Sequence, residues 1–192
     1  MALIEKGLIV TPTIVDPWAD DPRLRAANVA ARVPTLVLDS NIPLTESLLI
    51  VMWLEATRPS PQWPTLIGKT TAETEAILSR AGVALGAIDA SVHTIITRKV
   101  TAPALFDETP VGLKRRRTMI EGLERIESII PAIVATHHQT GALQLDAICA
   151  ITLFDYQQFR YSDQPWLPTT PALKGFAEQM RGRPAVADTM PR

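Results

Sequence analysis

Only one cysteine, Cys149, occurs among 192 residues, so no internal disulfide can form and the chain suits a reducing compartment such as the cytosol. Its apolar surroundings supply neither a base nor a cation to favour thiolate, which marks it as a small buried hydrophobe rather than a nucleophile. Charge of one sign is also lacking, since 19 basic residues stand against 20 acidic ones for a net charge of -1. No footprint for nucleic acid or an anionic membrane is left. The longest apolar runs, residues 48–54 and 129–135, fall well short of the roughly 20 residues that cross a bilayer. The amino terminus shows no signal-peptide pattern, so export is not implied.

The chain contains no G-x-G-x-x-G, no P-loop lysine motif and no G-x-S-x-G, which removes support for dinucleotide, nucleotide and serine-hydrolase readings. His137 and His138 are adjacent, so on a helix they diverge by about 100° and do not converge on a metal. With no Cys or carboxylate at ligand spacing, no metal site is expected. His93, inside a helical pattern, reads as structural.

What is present fits a folded protein with a proper core, at 46% hydrophobic and 20% charged residues. The one basic cluster, Lys114-Arg115-Arg116-Arg117, is followed by Glu121, Glu124 and Glu127 and reads as the solvated face of a helix.

The most informative stretch is Asn28–Ser47, NVAARVPTLVLDSNIPLTES. Thr35-Leu36-Val37-Leu38 has strand composition, Asp39-Ser40-Asn41 has turn chemistry with Asn41 able to take a left-handed position, and Pro43-Leu44 returns toward Glu46. A hairpin is expected. A cis Val33-Pro34 bond would let Val33 show its backbone N–H and C=O to a ligand, although composition alone favours trans. Ser47 opens the apolar run Leu48–Leu54, read as a buried helix, so Glu46 and Ser47 stand where leading N–H groups are unsatisfied and a carboxylate is attracted. An ordinary helix cap is the plainer reading of that pair.

This stretch resembles the second half of the thioredoxin-like domain of cytosolic glutathione transferases, where an asparagine, a loop, a basic residue and Val-Pro lead into a hairpin and a Glu-Ser pair. The resemblance implies that Val33, ahead of Pro34, pairs its backbone with the cysteinyl part of glutathione. It implies that Glu46 and Ser47 hold the γ-glutamyl end and that Arg32 reaches the glycyl carboxylate. Val29 and Ala31 depart from the family, standing where proline and glycine are usual.

In chain order, Ala2–Lys6 reads as the last turns of a helix closed by Gly7, with Lys6 facing the negative helix end. Leu8–Asp16 reads as an edge strand carrying Pro12, with Ile9, Val10, Ile14 and Val15 as core candidates. A polar loop to Asn28 contains one turn of helix at Pro22–Ala27. The family's first strand, the start of its first helix and the Tyr, Ser or Cys that contacts the glutathione sulfur have no counterpart here, so no catalytic residue is assigned. Three explanations stay open: an internal Met1 in a longer protein, a gap filled by a partner, or lost activity. The first is preferred, because the rest of the chain is intact.

Pro59, Pro61 and Pro64 mark a linker. Helical periodicity then predicts a long helix from Thr71 to about Val100 with Ile77, Ala81, Ala84, Leu85 and Ile88 on one face. A second runs from about Val111 to Thr136 and is kinked or ended by Pro131. A central helix spans Leu143–Tyr161, with Asp155, Gln157, Gln158 and Arg160 giving it a polar side, and Ala172–Arg181 forms a last one. Trp53 and Trp166 read as packed, while Trp18 and Trp63 are candidates for a cleft rim. Phe159-Arg160, Trp166, Pro171-Ala172-Leu173, Arg183-Pro184 and Thr189-Met190-Pro191 resemble the carboxy-terminal signature of bacterial glutathione transferases. The family's capping box on the central helix is replaced by Gln144 and Ala147, with Asp146 displaced by one.

The expected fold is α/β plus all-α: a truncated thioredoxin-like domain over residues 1–56, a proline-rich linker over 57–66 and an all-helical domain over 67–192. By resemblance the protein is a cytoplasmic, homodimeric detoxification enzyme that conjugates glutathione, as co-substrate, to hydrophobic electrophiles. A non-catalytic glutathione-binding protein and a glutathione-dependent reductase or isomerase on the same scaffold are the alternatives.

Overall fold

The computed structural model describes residues 1–16, 19–102 and 105–191, so Trp18 lies outside the described residues. Two compact units divide after Leu66, the first spanning Ala2–Leu66 and the second beginning at Ile67.

In the first unit, α1 (Ala2–Glu5) is one turn, closed by Gly7 at φ 69, a left-handed value that glycine adopts without a Cβ clash. Lys6 does not face the end of its own helix as expected. It is fully buried, and its Nζ lies 2.6 Å from Glu55 Oε1 and donates to the Arg58 carbonyl at 2.9 Å. A buried ammonium needs such a partner, because desolvating it alone costs several kcal/mol, on the order of the penalty for any buried ion.

Leu8–Asp16, expected as a strand, forms none, and Ile9 is 99% exposed and Ile14 89%. Strand geometry is held by ladder bonds to a neighbour. Among the described residues no segment pairs with this one, so its β-branched side chains stay at the surface. The hairpin does form: β1 (Thr35–Val37) pairs antiparallel with β2 (Pro43–Thr45) in the register Thr35↔Thr45, Leu36↔Leu44, Val37↔Pro43.

α3 (Ser47–Thr57) buries Ile50, Val51 and Leu54, but Leu48, Leu49 and Met52 are exposed. An all-apolar run read as a buried helix is thus buried on one face only. Beyond it, Glu55 accepts from the Thr65 hydroxyl at 2.9 Å and the Leu66 N–H at 2.8 Å. The proline-rich segment is thereby tied back to α3, and Leu66 is fully buried.

The second unit is helical. α4 (Thr71–Thr101) begins with a capping box between Thr70 and Glu73, which satisfies two orphan donors reciprocally. Its buried face is Ile77, Ala81, Ala84, Ala87, Ala90, Ser91 and Thr94, with Leu85 and Ile88 only half-buried. α4 packs on both α5 (Pro110–Thr140) and α6 (Leu145–Tyr161). The small side chains along α4 permit that closeness: a Cβ added at Gly122 of α5 would lie 2.6 Å from the Ala87 Cβ.

Pro131 lies inside α5 and does not end it; the helix continues to Thr140 and closes on Gly141 in the left-handed conformation. Proline removes one ladder bond, and the buried Ile130 and Ile133 on either side hold the helix through the gap. The basic cluster is only half solvated. Arg115 donates to the Thr97 hydroxyl at 3.0 Å and lies over the Phe106 ring, and Arg116 lies over Trp166. Glu127, assigned to the same solvated face, accepts the N–H groups of Ala172 and Leu173 at 2.7 and 2.8 Å and so caps α7 (Pro171–Met180).

α6 is buried over nearly its whole length. Asp155 and Gln157, expected on a polar side, are buried with partners: Arg181 Nη1 donates to Asp155 at 2.8 Å, and Gln157 donates to the Ser91 hydroxyl. α8 (Pro184–Ala187) closes the unit. Among the described residues no helix is long and apolar enough to cross a membrane.

Candidate functional site

The candidate residues all come from the first unit. α2 (Pro22–Ala27) starts with proline at its first position and is capped by Asp21, whose Oδ1 accepts the Arg23 N–H at 2.8 Å. The Arg23 side chain adds a second contact to the other oxygen at 2.7 Å. These bonds, the side-chain one first, hold the Asp21 carboxyl at about 2, well below the usual carboxylate range. α2 ends on the buried Asn28, from which a loop runs to Pro34 with Ala31 at φ 50.

The Val33-Pro34 bond is cis. Val33 is 55% exposed, and among the described residues none takes a hydrogen bond from its backbone or gives one to it. Across the hairpin, Asn41 takes the left-handed position at φ 62 and the chain returns through β2. The register Thr35↔Thr45 sets Val33-Pro34 and Glu46-Ser47 at the same end of the hairpin.

Glu46 is the residue ahead of α3, at φ 66, and α3 has no side-chain cap. Glu46 is the cap by position only, and among the described residues no side chain takes the leading N–H groups of α3. The Glu46 carboxylate turns instead to Arg32, Nη1 to Oε1 at 3.0 Å. Arg32, Val33, Pro34, Glu46 and Ser47 are all exposed. The arrangement offers an unpaired backbone amide, one carboxylate, one guanidinium and an anion-binding helix end within one short hairpin.

A cleft of about 540 Å³ is lined by Leu8, Val10, Leu36, Leu38, Trp53 and Trp63. Arg58 lies 5.0 Å over the Trp63 ring. Trp63 thus borders a cleft as expected, and Trp53 borders the same one.

Outside the hairpin, Cys149 and Tyr161 are both desolvated. Cys149 is buried, and desolvation followed by the Asp146 charge pushes its thiol up to about 12. Burial likewise raises Tyr161 to about 12, and its hydroxyl donates to the Ser91 carbonyl at 2.7 Å. Among the described residues no group of His, Cys, Asp or Glu is placed to hold a metal ion. Sequence reasoning missed two arrangements here, the Asn28 contacts within the loop and the buried Lys6–Glu55 pair. Asn28 and Thr35 left a weak signal, polar residues bracketing a loop; Lys6 and Glu55 left none.

Residues 1–57 match the family described as the glutathione S-transferase N-terminal domain. None of the curated proteins matches the chain. Among solved structures, a glutathione S-transferase from Methylobacterium radiotolerans in complex with glutathione sulfonate is 24% identical, with a TM-score of 0.80 over 99% of this chain and 86% of that one. A glutathione transferase family member from Pseudomonas fluorescens with bound glutathione is 22% identical, with a TM-score of 0.80 over 100% and 91%. One from Methylobacillus flagellatus with glutathione bound is also 22% identical, at 0.81 over 100% and 91%. At these identities the structural likeness establishes the fold.

Proposed function

We propose, from the premise that the chain is a member of the glutathione transferase family with residues 1–57 as its matched N-terminal domain, that it binds glutathione at the Arg32–Ser47 hairpin and transfers it to hydrophobic electrophiles. The observation that carries this reading is the uncapped start of α3 beside an unpaired Val33 backbone. Glutathione is a γ-linked tripeptide with two internal amides flanking its cysteinyl residue, a terminal amine and two carboxylates, and the hairpin offers a complement to the cysteinyl backbone, the amine and each carboxylate.

In this reading the Val33 N–H and C=O pair with the cysteinyl amide. Glu46 accepts the γ-glutamyl ammonium, and Ser47 with the leading N–H groups of α3 takes the adjacent carboxylate. Arg32 leaves Glu46 for the glycyl carboxylate. The bound thiol gives its proton to solvent water, its sulfur lone pair forms a carbon–sulfur bond with the electrophile, and the leaving group departs with its electron pair. Fixing both ends of the tripeptide holds the sulfur in place, and that positioning lowers the barrier to a bimolecular step. No residue is assigned to activate the thiol. We place the protein in the cytoplasm as a detoxifying homodimer, with residues 57–66 linking a domain at 1–56 to another at 67–192.

The test is a calorimetric titration of the full-length protein with glutathione, alongside turnover of a chlorodinitrobenzene. Saturable binding that weakens in Glu46→Ala/Ser47→Ala, with turnover, supports the reading. Binding without turnover converts it to a non-catalytic glutathione-binding protein. Unchanged affinity in the double variant removes the role given to Glu46 and Ser47.

A further inference from the structure

The loop before Pro34 is held from within by two side chains. Asn28 is buried and uses its whole amide: Oδ1 accepts the Ala30 N–H at 3.0 Å, and Nδ2 donates to the Arg32 carbonyl at 3.0 Å and to the Thr35 Oγ1 at 3.2 Å. The Thr35 hydroxyl donates in turn to the same Arg32 carbonyl at 2.8 Å. The Asn28 carbonyl also accepts the Ala31 N–H at 2.8 Å. One carbonyl oxygen, that of Arg32, therefore receives two donors from opposite ends of the loop.

The Arg32–Val33 peptide is a trans, planar unit, so its carbonyl and its N–H point in opposite directions. Fixing the Arg32 carbonyl inward fixes the Val33 N–H outward. Two hydrogen bonds set the plane, so rotation of that peptide would take the Arg32 carbonyl away from both the Asn28 amide and the Thr35 hydroxyl.

We infer that Asn28 and Thr35 are positioning residues for glutathione binding, acting through the Arg32 carbonyl to aim the Val33 N–H at the ligand's cysteinyl backbone. This rests on the glutathione reading above. Neither residue touches the ligand. Their contribution is to prepay the orientation of a loop that would otherwise order only on binding, and affinity gained by preorganisation is lost when the clamp is cut.

Thr35→Val removes the hydroxyl and keeps a β-branched shape suited to β1; Thr35→Ser restores the hydroxyl. Asn28→Asp keeps the acceptor for Ala30 and removes both donors. The readouts are the Kd for glutathione and hydrogen exchange at the Val33 amide with and without saturating glutathione. Thr35→Val and Asn28→Asp are expected to raise Kd roughly 2- to 10-fold, the worth of one hydrogen bond, with loss of ligand-induced protection at Val33 and retention of protection at the start of α3. Thr35→Ser is expected to return both toward wild type, which loss of folding would not. Wild-type binding with unchanged affinity and Val33 protection in Thr35→Val overturns the inference alone. No binding by the wild type overturns the glutathione reading, and the inference with it.

Discussion

Arg32 and Glu46 meet at 3.0 Å while 61% and 49% of their side-chain surfaces stay exposed. An ion pair this open contributes only about 0.2–1 kcal/mol and is screened by salt. Its two charges are therefore available to a ligand at little cost to the fold. Glu46→Gln is expected to lower the melting temperature by no more than roughly 1–3 °C. It should weaken glutathione about 10-fold or more, because a hydrogen bond to a charged group is worth roughly 1.5–3 kcal/mol. Melting curves and titration calorimetry on the same preparation separate the two effects, and unchanged affinity would count against Glu46.

The buried Lys6–Glu55 pair should behave in the opposite way. Glu55 also holds Thr65 and Leu66, so Glu55→Ala strands a fully buried ammonium and two donors, whereas Lys6→Met leaves Glu55 partly satisfied. Breaking such a pair typically costs about 3–5 kcal/mol, and the Glu55 variant is expected at the upper end. Lys6→Met combined with Glu55→Gln should recover part of the loss in urea unfolding. Equal losses in all three variants would contradict a charge-pairing role.

Asp21 links pH to the start of α2. Its carboxyl is held at about 2, below the ordinary carboxylate value of 3.8, chiefly by the Arg23 side chain. A depressed folded value means the cap's contribution is fully present above about 3.8 and is lost as pH falls through about 2. Carbon-detected NMR titration should place the Asp21 midpoint near the lower figure, and Arg23→Ala should move it upward. A wild-type midpoint at the ordinary value would refute the contact.

Cys149, buried with its thiol at about 12, should resist iodoacetamide in the native protein near neutral pH and react on unfolding in urea. Cys149→Ala should leave any glutathione transfer unchanged. Loss of turnover without loss of folding would return this cysteine to the chemistry.

Legibility from sequence followed the range of the interactions. The hairpin, the left-handed Asn41 and the short helix at Pro22–Ala27 depend on turn and cap chemistry within a few residues, and they form as expected. The two long helices were visible through their apolar period, although the exchange of Leu85 and Ile88 for Ala87 and Ala90 on the buried face of α4 depends on how closely α5 approaches. Leu8–Asp16 has strand composition without a partner among the described residues, and composition alone cannot supply a ladder. Sequence alone sets Lys6 against its own helix end and Asp155 and Gln157 on a polar side, because their partners Glu55, Arg181 and Ser91 are distant in sequence. At the candidate site, the five residues were found through resemblance, while the Asn28–Thr35 contacts that shape their loop needed coordinates.

The Gly122–Ala87 approach bears on how variants of this protein should be interpreted. With only 2.6 Å between a would-be Cβ and the Ala87 methyl, a saturation library should disfavour every side chain at position 122, an intolerance that resembles that of a reacting residue. Such a scan scores necessity and is blind to its cause. At this position what is selected is the distance between two helix backbones.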